Sequence, residues 1–155
     1  MTDEEALRAL SAGYAAAVDA LDGPAFAALF TSDGELWVPD VTHGPDPTIR
    51  RAGGSFGGIP GALARYHSTS HAVWAADYTV SGDGATGEVR GVAHHFGAPE
   101  GDREARAFGP GSDTVWYLRY VDVYRRTEHG WRIARRALHL RDLEVRTVRV
   151  LGPGR

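Results

Sequence analysis

The segment Trp116–Arg136, WYLRYVDVYRRTEHGWRIARR, decides the fold of this chain. It predicts two strands joined by the turn Glu128-His129-Gly130, which makes an antiparallel hairpin. Side chains two residues apart lie on the same face of a strand. One face of the first strand therefore carries Trp116, Leu118, Tyr120, Asp122 and Tyr124, and the other carries Val115, Tyr117, Arg119, Val121 and Val123. Polar side chains among the inward residues indicate a lined pocket.

The remaining elements follow from caps, turns and alternation. Thr2-Asp3-Glu4-Glu5 has the pattern of a capping box, which predicts a helix from Thr2 to about Leu21. Pro24 begins a short second helix completed by Ala25–Phe30, and Pro60 begins a third that runs to Tyr66. Strands are predicted near Glu35–Val38, Ser70–Val80, Ala85–Phe96, Thr114–Arg126 and Trp131–Val148, with a second hairpin turn at Ser81–Gly84.

This order predicts a single α+β domain over residues 1–155. Helices come first and a meandering antiparallel sheet follows, so the helices should pack on one face of a curved sheet that encloses a cavity. The segment Pro39–Gly58 is rich in Gly and Pro and is predicted to cover the surface. The loop Gly97–Ser112 is long and charged, and a loop of that size in a small domain is more often functional than idle.

Composition excludes several classes of function. Apolar residues make up 43% of the chain and the net charge is -3, which is typical of a soluble globular protein without a nucleic-acid partner. No apolar run is long enough to span a membrane and no signal peptide is recognisable, so we expect a cytoplasmic protein. The absence of Cys excludes disulfides and thiolate catalysis, and because all 17 basic residues are Arg, a lysine Schiff base is excluded too.

Asp19 and His71 are the first candidates for chemistry. Asp19 is one of two polar side chains in the helical stretch AGYAAAVDAL, and a helix that is apolar nearly all round is buried nearly all round. His71 begins the strand HAVWAADYTV on the face it shares with Val73. Side by side, the carboxylate would orient the imidazole as a general base. The alternatives are an Asp exposed at the helix end and a His satisfied by backbone groups.

The other histidines are less suited to catalysis. His94 and His95 must point to opposite faces of one strand, and Glu88 and Arg90 share the parity of His94, which favours His95 as the residue facing the cavity. His43, His67, His129 and His139 are predicted in loops, at a helix end or on the surface. No His pair has the spacing of a metal site, so we expect no metal.

Arg136 leaves two interpretations open. By parity it shares a face of the last strand with Arg132, opposite Trp131, Ile133 and Arg135. A buried Arg136 could anchor a carboxylate, phenolate or enolate, or it could form an ion pair with Asp122. The chain has no phosphate-binding loop, no dinucleotide fingerprint and no nucleophile elbow, so we expect neither a nicotinamide nor a flavin cofactor.

Four segments in order resemble the SnoaL-like branch of the nuclear transport factor 2-like superfamily. They are YAAAVDALDGPAFAALF, STSHAV, GEVRGVAHHF and RYVDVYRRTEHGWRIARR, which together cover most of the chain. The resemblance is strongest to the group that contains scytalone dehydratase, bile-acid 7α-dehydratase and the lindane dehydrochlorinase. It implies a cone of curved antiparallel sheet capped by N-terminal helices.

The resemblance also implies roles for individual residues. Asp19 and His71 match an Asp that orients a His, which moves the proton during elimination. Tyr14 and Arg136 match a tyrosine and an arginine of the same sites, while Tyr120 and Asp122 match positions that line the pocket. Val18 replaces a tyrosine of scytalone dehydratase, so we do not expect scytalone as the substrate.

These observations predict a cofactor-independent lyase or isomerase acting on a hydrophobic cyclic small molecule, such as a polyketide or a steroid-like ketone. The alternatives are a non-catalytic ligand-binding protein and the small subunit of a ring-hydroxylating oxygenase, since this fold serves all three. The candidates for pocket walls are Trp37, Trp74, Trp116 and Tyr120, with His94 and His95. The apolar strip Val115, Tyr117, Val121 and Val123 predicts a homodimer or higher homo-oligomer.

Overall fold

Two helices precede a six-stranded sheet in the computed structural model, which describes residues 1–97 and 111–148. Within these residues the helices are α1 (Asp3–Asp19) and α2 (Gly23–Ala28), and two 3-10 helices span Gly53–Gly58 and Pro60–Arg65. The strands are β1 (Phe30–Pro39), β2 (Pro47–Ala52), β3 (Ser68–Ser81), β4 (Gly84–Gly97), β5 (Ser112–Thr127) and β6 (Gly130–Thr147). Most of the predicted functional loop, residues 98–110, lies outside the described residues.

The start of α1 confirms the predicted capping box. The N–H of Glu5 donates to the Thr2 hydroxyl oxygen at 3.2 Å, and the N–H of Thr2 donates to the Glu5 carboxylate at 2.6 Å. The helix ends at Asp19, because Leu21 adopts a left-handed backbone with a φ of 56°. Asp22 then caps α2 by accepting the N–H of Ala25. Asp19 therefore occupies the last position of α1.

The sheet is mixed, in the order β2-β1-β6-β5-β4-β3. The hairpins β3–β4, β4–β5 and β5–β6 are antiparallel as predicted, but β1 pairs with β6 in the parallel direction. The prediction of a wholly antiparallel sheet is therefore wrong at this pair. Turn residues determine only how sequence neighbours pair, whereas β1 and β6 are far apart along the chain.

An edge strand replaces part of the predicted surface loop. Pro47–Ala52 forms β2, antiparallel to β1, with Ile49 paired to Val38 and Arg51 to Leu36. A short strand that begins with Pro and carries charged side chains is typical of a sheet edge. β2 and the 3-10 helices after it face the open side of the curled sheet.

The inner face of the sheet holds the core. Along β5, Leu118, Tyr120, Asp122 and Tyr124 are buried while Tyr117, Val121 and Val123 are exposed, as the alternation predicts. α1 packs across this face against β3 and β6, with Leu7, Tyr14 and Val18 among its buried side chains. No helix in the two described ranges is long and apolar enough to cross a membrane.

A bulge in β6 changes which side chains point inward. Tyr124 pairs with Ile133 and Val123 pairs with Arg135, so Ala134 is an extra residue opposite a single step of β5. Ile133 and Arg136 are both fully buried as a result. The predicted grouping of Arg132 with Arg136, opposite Ile133, is therefore wrong, because simple alternation does not continue through a bulge.

The outer face of β5 carries part of the predicted apolar strip. Tyr117, Val121 and Val123 are 36%, 39% and 42% exposed. Val115 is fully buried and does not belong to the strip, since it lies near the strand end beside His94, its partner in the ladder. Self-association through the remaining three residues stays a prediction.

Sedimentation at micromolar concentration should give at least a dimer, because three neighbouring apolar side chains are exposed on one face. Val121→Arg should dissociate it by placing an unpaired charge in the contact. The exposed position makes this change harmless to the folded monomer. A monomeric unaltered chain, or an assembly that Val121→Arg leaves intact, would contradict pairing through this strip.

Candidate active site

A cavity of about 500 Å³ opens between the inner face of the sheet, α1 and the segment Pro47–Tyr66. Its apolar lining comes mainly from Val18, Leu36, Val38, Ile59, Leu63, Ala93, Trp116, Leu118 and Leu138. Its polar lining comes from Tyr14, Arg51, Ser55, Arg65, Tyr66, His71, His95 and Tyr120. Mostly apolar walls with a few convergent polar groups are typical of a small-molecule site.

Asp19 and His71 meet at the edge of this cavity. His71 Nδ1 lies 2.7 Å from Asp19 Oδ1, within the predicted hydrogen-bond distance. The same carboxylate accepts the backbone N–H of His71 and the hydroxyl of Thr69, each at 2.8 Å. The carboxylate cannot donate when ionised, so Nδ1 carries the hydrogen and Nε2 keeps a free lone pair. The geometry suits a base with an orienting acid, and the catalytic role stays a prediction.

The charge of Asp19 is stabilised by these contacts. Partial burial opposes ionisation of the carboxyl, but hydrogen bonds from the His71 ring, the His71 N–H and Thr69 outweigh it and lower the pKa of Asp19. The stability this contributes is present above the usual pKa of an Asp and is lost as the pH falls through the lowered value. Asp19 is therefore a carboxylate at neutral pH.

His95 is the second imidazole in the cavity. Its Nδ1–H donates to the carbonyl of Thr114 at 3.0 Å, and its ring contacts Tyr66, His71 and Trp116. Burial lowers the pKa of His95 to about 4. Since the unfolded chain takes up this proton near pH 6.5, acidification from pH 7 towards 4 destabilises the fold. His95 is neutral at physiological pH and presents Nε2 as an acceptor.

His94 points the other way. Its Nδ1 lies 2.8 Å from Asp113 Oδ2, its ring stacks on Phe96, and it does not line the cavity. The prediction that His95 rather than His94 faces inward agrees with the structure. The inclusion of His94 among the substrate-binding candidates is wrong, because neighbouring residues of β4 must face opposite sides.

Arg136 and Asp122 form a buried ion pair beneath the cavity. Arg136 Nε and Nη2 donate to the two oxygens of Asp122 at 2.9 and 2.7 Å, and Nη2 also donates to Ser11 at 3.1 Å. Burial disfavours the guanidinium charge, but the charge of Asp122 outweighs it and raises the pKa of Arg136. Neither side chain lines the cavity. The structure shows the ion-pair interpretation, and the placement of both side chains outside the lining does not support direct substrate contact by Arg136 or Asp122.

This pair supports two tyrosines of the cavity. The Arg136 guanidinium carbon lies 4.4 Å from the ring centre of Tyr14 and 4.3 Å from that of Tyr120. Tyr124 adds a hydrogen bond of 2.6 Å to Asp122. Burial raises the pKa of Tyr14 to about 12 and that of Tyr120 well above its usual value. Both phenols are therefore neutral hydrogen-bond donors at the cavity floor.

Three tryptophans were candidates for walls, and they differ in position. Trp116 lines the cavity. Trp37 alternates with Leu36 and Val38 and points to the other face of β1, where its Nε1–H donates to Glu35 at 2.9 Å. Trp74 sits at a register shift in β3 and is 60% exposed. The assignment of Trp37 as a substrate-binding residue is therefore wrong by strand parity.

The cavity wall contributed by residues 47–66 is not predicted by the sequence patterns described above. Arg51, Ser55, Ile59, Leu63 and Tyr66 line the cavity from β2 and the two 3-10 helices. A signal was present, since Ile59, Leu63 and Tyr66 recur at a helical spacing within a Gly-rich segment. Glycines at 53, 54, 57, 58 and 61 concealed it because they suggest a loop.

No group of three His, Cys, Asp or Glu side chains within residues 1–97 and 111–148 is arranged to hold a metal ion. Among the described residues that line the cavity, His71 and His95 are the only His, Cys, Asp or Glu side chains. Independence from a metal or an organic cofactor remains a prediction.

A family model of the SnoaL-like domain matches residues 1–137. This match covers most of the sequence, so the chain belongs to the SnoaL-like domain family. It confirms the resemblance based on the four sequence segments. A search of the curated proteins finds no match.

Solved structures of similar proteins share the nuclear transport factor 2-like fold. A nuclear transport factor 2-like protein with a cystatin-like fold from Novosphingobium aromaticivorans is 27% identical to this chain. The match covers 90% of this chain and 82% of that chain, with a TM-score of 0.64. A candidate scytalone dehydratase from the same organism is 20% identical, with 97% and 91% covered and a TM-score of 0.72. A hexachlorocyclohexane dehydrochlorinase, LinA type 2, is 15% identical, with 97% and 96% covered and a TM-score of 0.74. The last two similarities establish the fold alone.

Arg136→Met should lower the free energy of unfolding by about 3–5 kcal/mol, because it leaves the buried carboxylate of Asp122 without its cation. Combining it with Asp122→Leu should recover most of the loss. Arg125→Met provides the control, since its pair with Asp33 is exposed to solvent and should contribute far less than the buried pair. Urea unfolding gives the free energy of unfolding of the unaltered chain and of these three variants. Equal losses for Arg136→Met and Arg125→Met would show that the buried pair is unimportant.

Proposed function

We propose that this protein is a cofactor-independent lyase or isomerase that uses His71 as a general base on a hydrophobic cyclic small molecule. The observation that carries the proposal is the 2.7 Å contact between His71 Nδ1 and Asp19 at the edge of an apolar cavity. Asp19 holds the ring so that Nε2 is the basic nitrogen, and it stabilises the imidazolium that forms.

The reaction begins at a carbon next to a carbonyl group. His71 Nε2 takes the proton, and the electron pair of the C–H bond moves to form an enolate. In an elimination the carbonyl re-forms, the enolate electron pair makes a double bond to the neighbouring carbon, that carbon releases its leaving group, and the imidazolium gives its proton to the departing group. In an isomerisation the imidazolium returns the proton at another carbon. Both reactions use the same base and the same carboxylate.

Tyr14 stabilises the enolate oxygen. With its pKa raised to about 12, its phenol stays protonated and can donate a hydrogen bond to the developing negative charge. Tyr120 lines the same floor. Arg136 contributes through these rings, since it touches both of them and reaches no cavity surface. It is a positioning residue.

The size and lining of the cavity support a ring compound as the substrate. A volume of about 500 Å³ accommodates several fused rings, and walls such as Ile59, Leu63, Trp116 and Leu118 offer apolar contact. A polyketide or a steroid-like ketone has this shape and also carries the carbonyl that the reaction needs. Neutral His95 can accept a hydrogen bond from a substrate hydroxyl.

His71→Gln should leave the fold intact and reduce turnover of a cyclic ketone substrate at least about a hundredfold, the usual scale for a general base. Asp19→Asn should be nearly as damaging, because an amide can hold the wrong tautomer of His71. His94→Gln is the matched control, since it removes an imidazole that is paired with an Asp outside the cavity. Full turnover in both dyad variants would favour a ligand-binding protein instead.

Chelation should leave turnover unchanged, because the chemistry above is complete with protein side chains. The measurement compares initial rates before and after EDTA treatment and gel filtration. Loss of turnover that one added metal restores would contradict the proposal of a cofactor-independent reaction.

A further inference from the structure

The exposed end of the cavity carries two arginine side chains that the proposed reaction does not use. Arg51 comes from β2, and Arg65 ends the second 3-10 helix. Both residues are exposed, whereas Tyr14, Ala93 and Leu118 at the other end of the cavity are buried. The two cations therefore mark the mouth, and the apolar groups mark the interior.

We propose that the ligand of this cavity is an amphipathic ring compound whose carboxylate binds Arg51 and Arg65 at the mouth while its ring body fills the apolar interior. This substrate class rests on the proposed function only in taking the cavity as the site where the ligand binds. The proposed class of ligand is narrower than the class of hydrophobic cyclic ketones, because the ligand must also carry an ionised group.

Arg51 faces the cavity without an acidic partner. Its neighbour Arg50 points to the other side of β2 and pairs with Glu35, donating from Nε at 2.8 Å. The side chain of Arg51, in contrast, makes no hydrogen bond or ion pair with residues 1–97 and 111–148, while its backbone belongs to the β1–β2 ladder. A guanidinium presents a fork of donors that matches the two oxygens of a carboxylate.

Arg65 is held close to the polar groups of the interior. Its guanidinium carbon lies 4.8 Å from the ring centre of Tyr66, and Nη2 donates to the Tyr66 hydroxyl at 3.0 Å. Tyr66 in turn contacts the ring of His95. Burial is the main cause of the lowered pKa of His95, and the nearby positive charge of Arg65 adds to it.

Within residues 1–97 and 111–148, arginine side chains supply the charge of the cavity lining. None of the lining residues that the structure describes is an Asp or a Glu, and the carboxylate of Asp19 lies behind His71 rather than in the lining. Cations at the mouth of a low-dielectric cavity attract an anion and disfavour a second cation. An anionic group held there also fixes which end of the ring body enters first.

Two fluorescent probes with the same rings test the charge requirement. 8-Anilinonaphthalene-1-sulfonate is anionic, and N-phenyl-1-naphthylamine lacks only the sulfonate. The unaltered protein should bind one anionic probe per chain at least about tenfold more tightly than the neutral probe, with each displacing the other. Arg51→Gln and Arg65→Gln should each weaken the anionic probe about threefold to tenfold and leave the neutral probe unchanged.

The controls separate charge from shape. Arg51→Lys keeps the charge and should retain most of the preference, and Arg50→Gln removes a neighbouring charge on the other side of β2 and should change nothing. Higher salt should weaken the anionic probe alone. Equal affinities for the two probes, or an unchanged preference in the Arg51→Gln, Arg65→Gln double variant, would overturn the inference.

The same titration in His71→Gln distinguishes this inference from the proposed function. If the preference for the anionic probe persists while turnover is lost, both are supported. If turnover also persists, the proposed function fails and the anion-binding mouth remains. If the preference for the anionic probe is absent while turnover depends on His71, the anion-binding mouth is overturned and the proposed function is supported.

Discussion

The buried ion pair between Arg136 and Asp122 is the interaction on which the rest of this structure depends. It joins β6 to β5 below the cavity and reaches α1 through Ser11 and through the ring of Tyr14. Because two buried charges are tolerated only in well-defined geometry, the pair restricts how α1 can lie on the sheet. The end of α1 carries Asp19, so the same restriction brings that carboxylate to His71 on β3.

The bulge at Ala134 allows Ile133 and Arg136 to point to the same, inner face of β6. Without the extra residue, Ile133 and Arg136 would point to opposite faces of β6, and either a core side chain or the central cation would be lost from the interior. One inserted residue therefore places an apolar anchor and a charged anchor on the same side. The aromatic rings around the guanidinium then replace part of the hydration that it gives up.

Local patterns predicted the parts of the site that depend on nearby residues. The capping box located α1, and alternation in β5 separated Tyr120 and Asp122 from Val121 and Val123. The parallel pairing of β1 with β6 and the bulge were not predictable, because one depends on residues far apart in sequence and the other on a register shift without a distinctive residue. Trp37 and His94 were misassigned for a simpler reason, since aromatic and imidazole side chains suit either face of a sheet.

The proposed base and the mouth of the cavity are built on separate parts of the chain. Asp19 and His71 lie on α1 and β3, whereas Arg51 and Arg65 lie on an edge strand and a Gly-rich helical segment. Edge strands and short 3-10 helices have few obligatory backbone partners, so substitutions there disturb the core little. Substitutions in residues 47–66 therefore offer a route to a different ligand that leaves the proposed Asp19–His71 dyad unchanged, so that one scaffold can serve many small molecules.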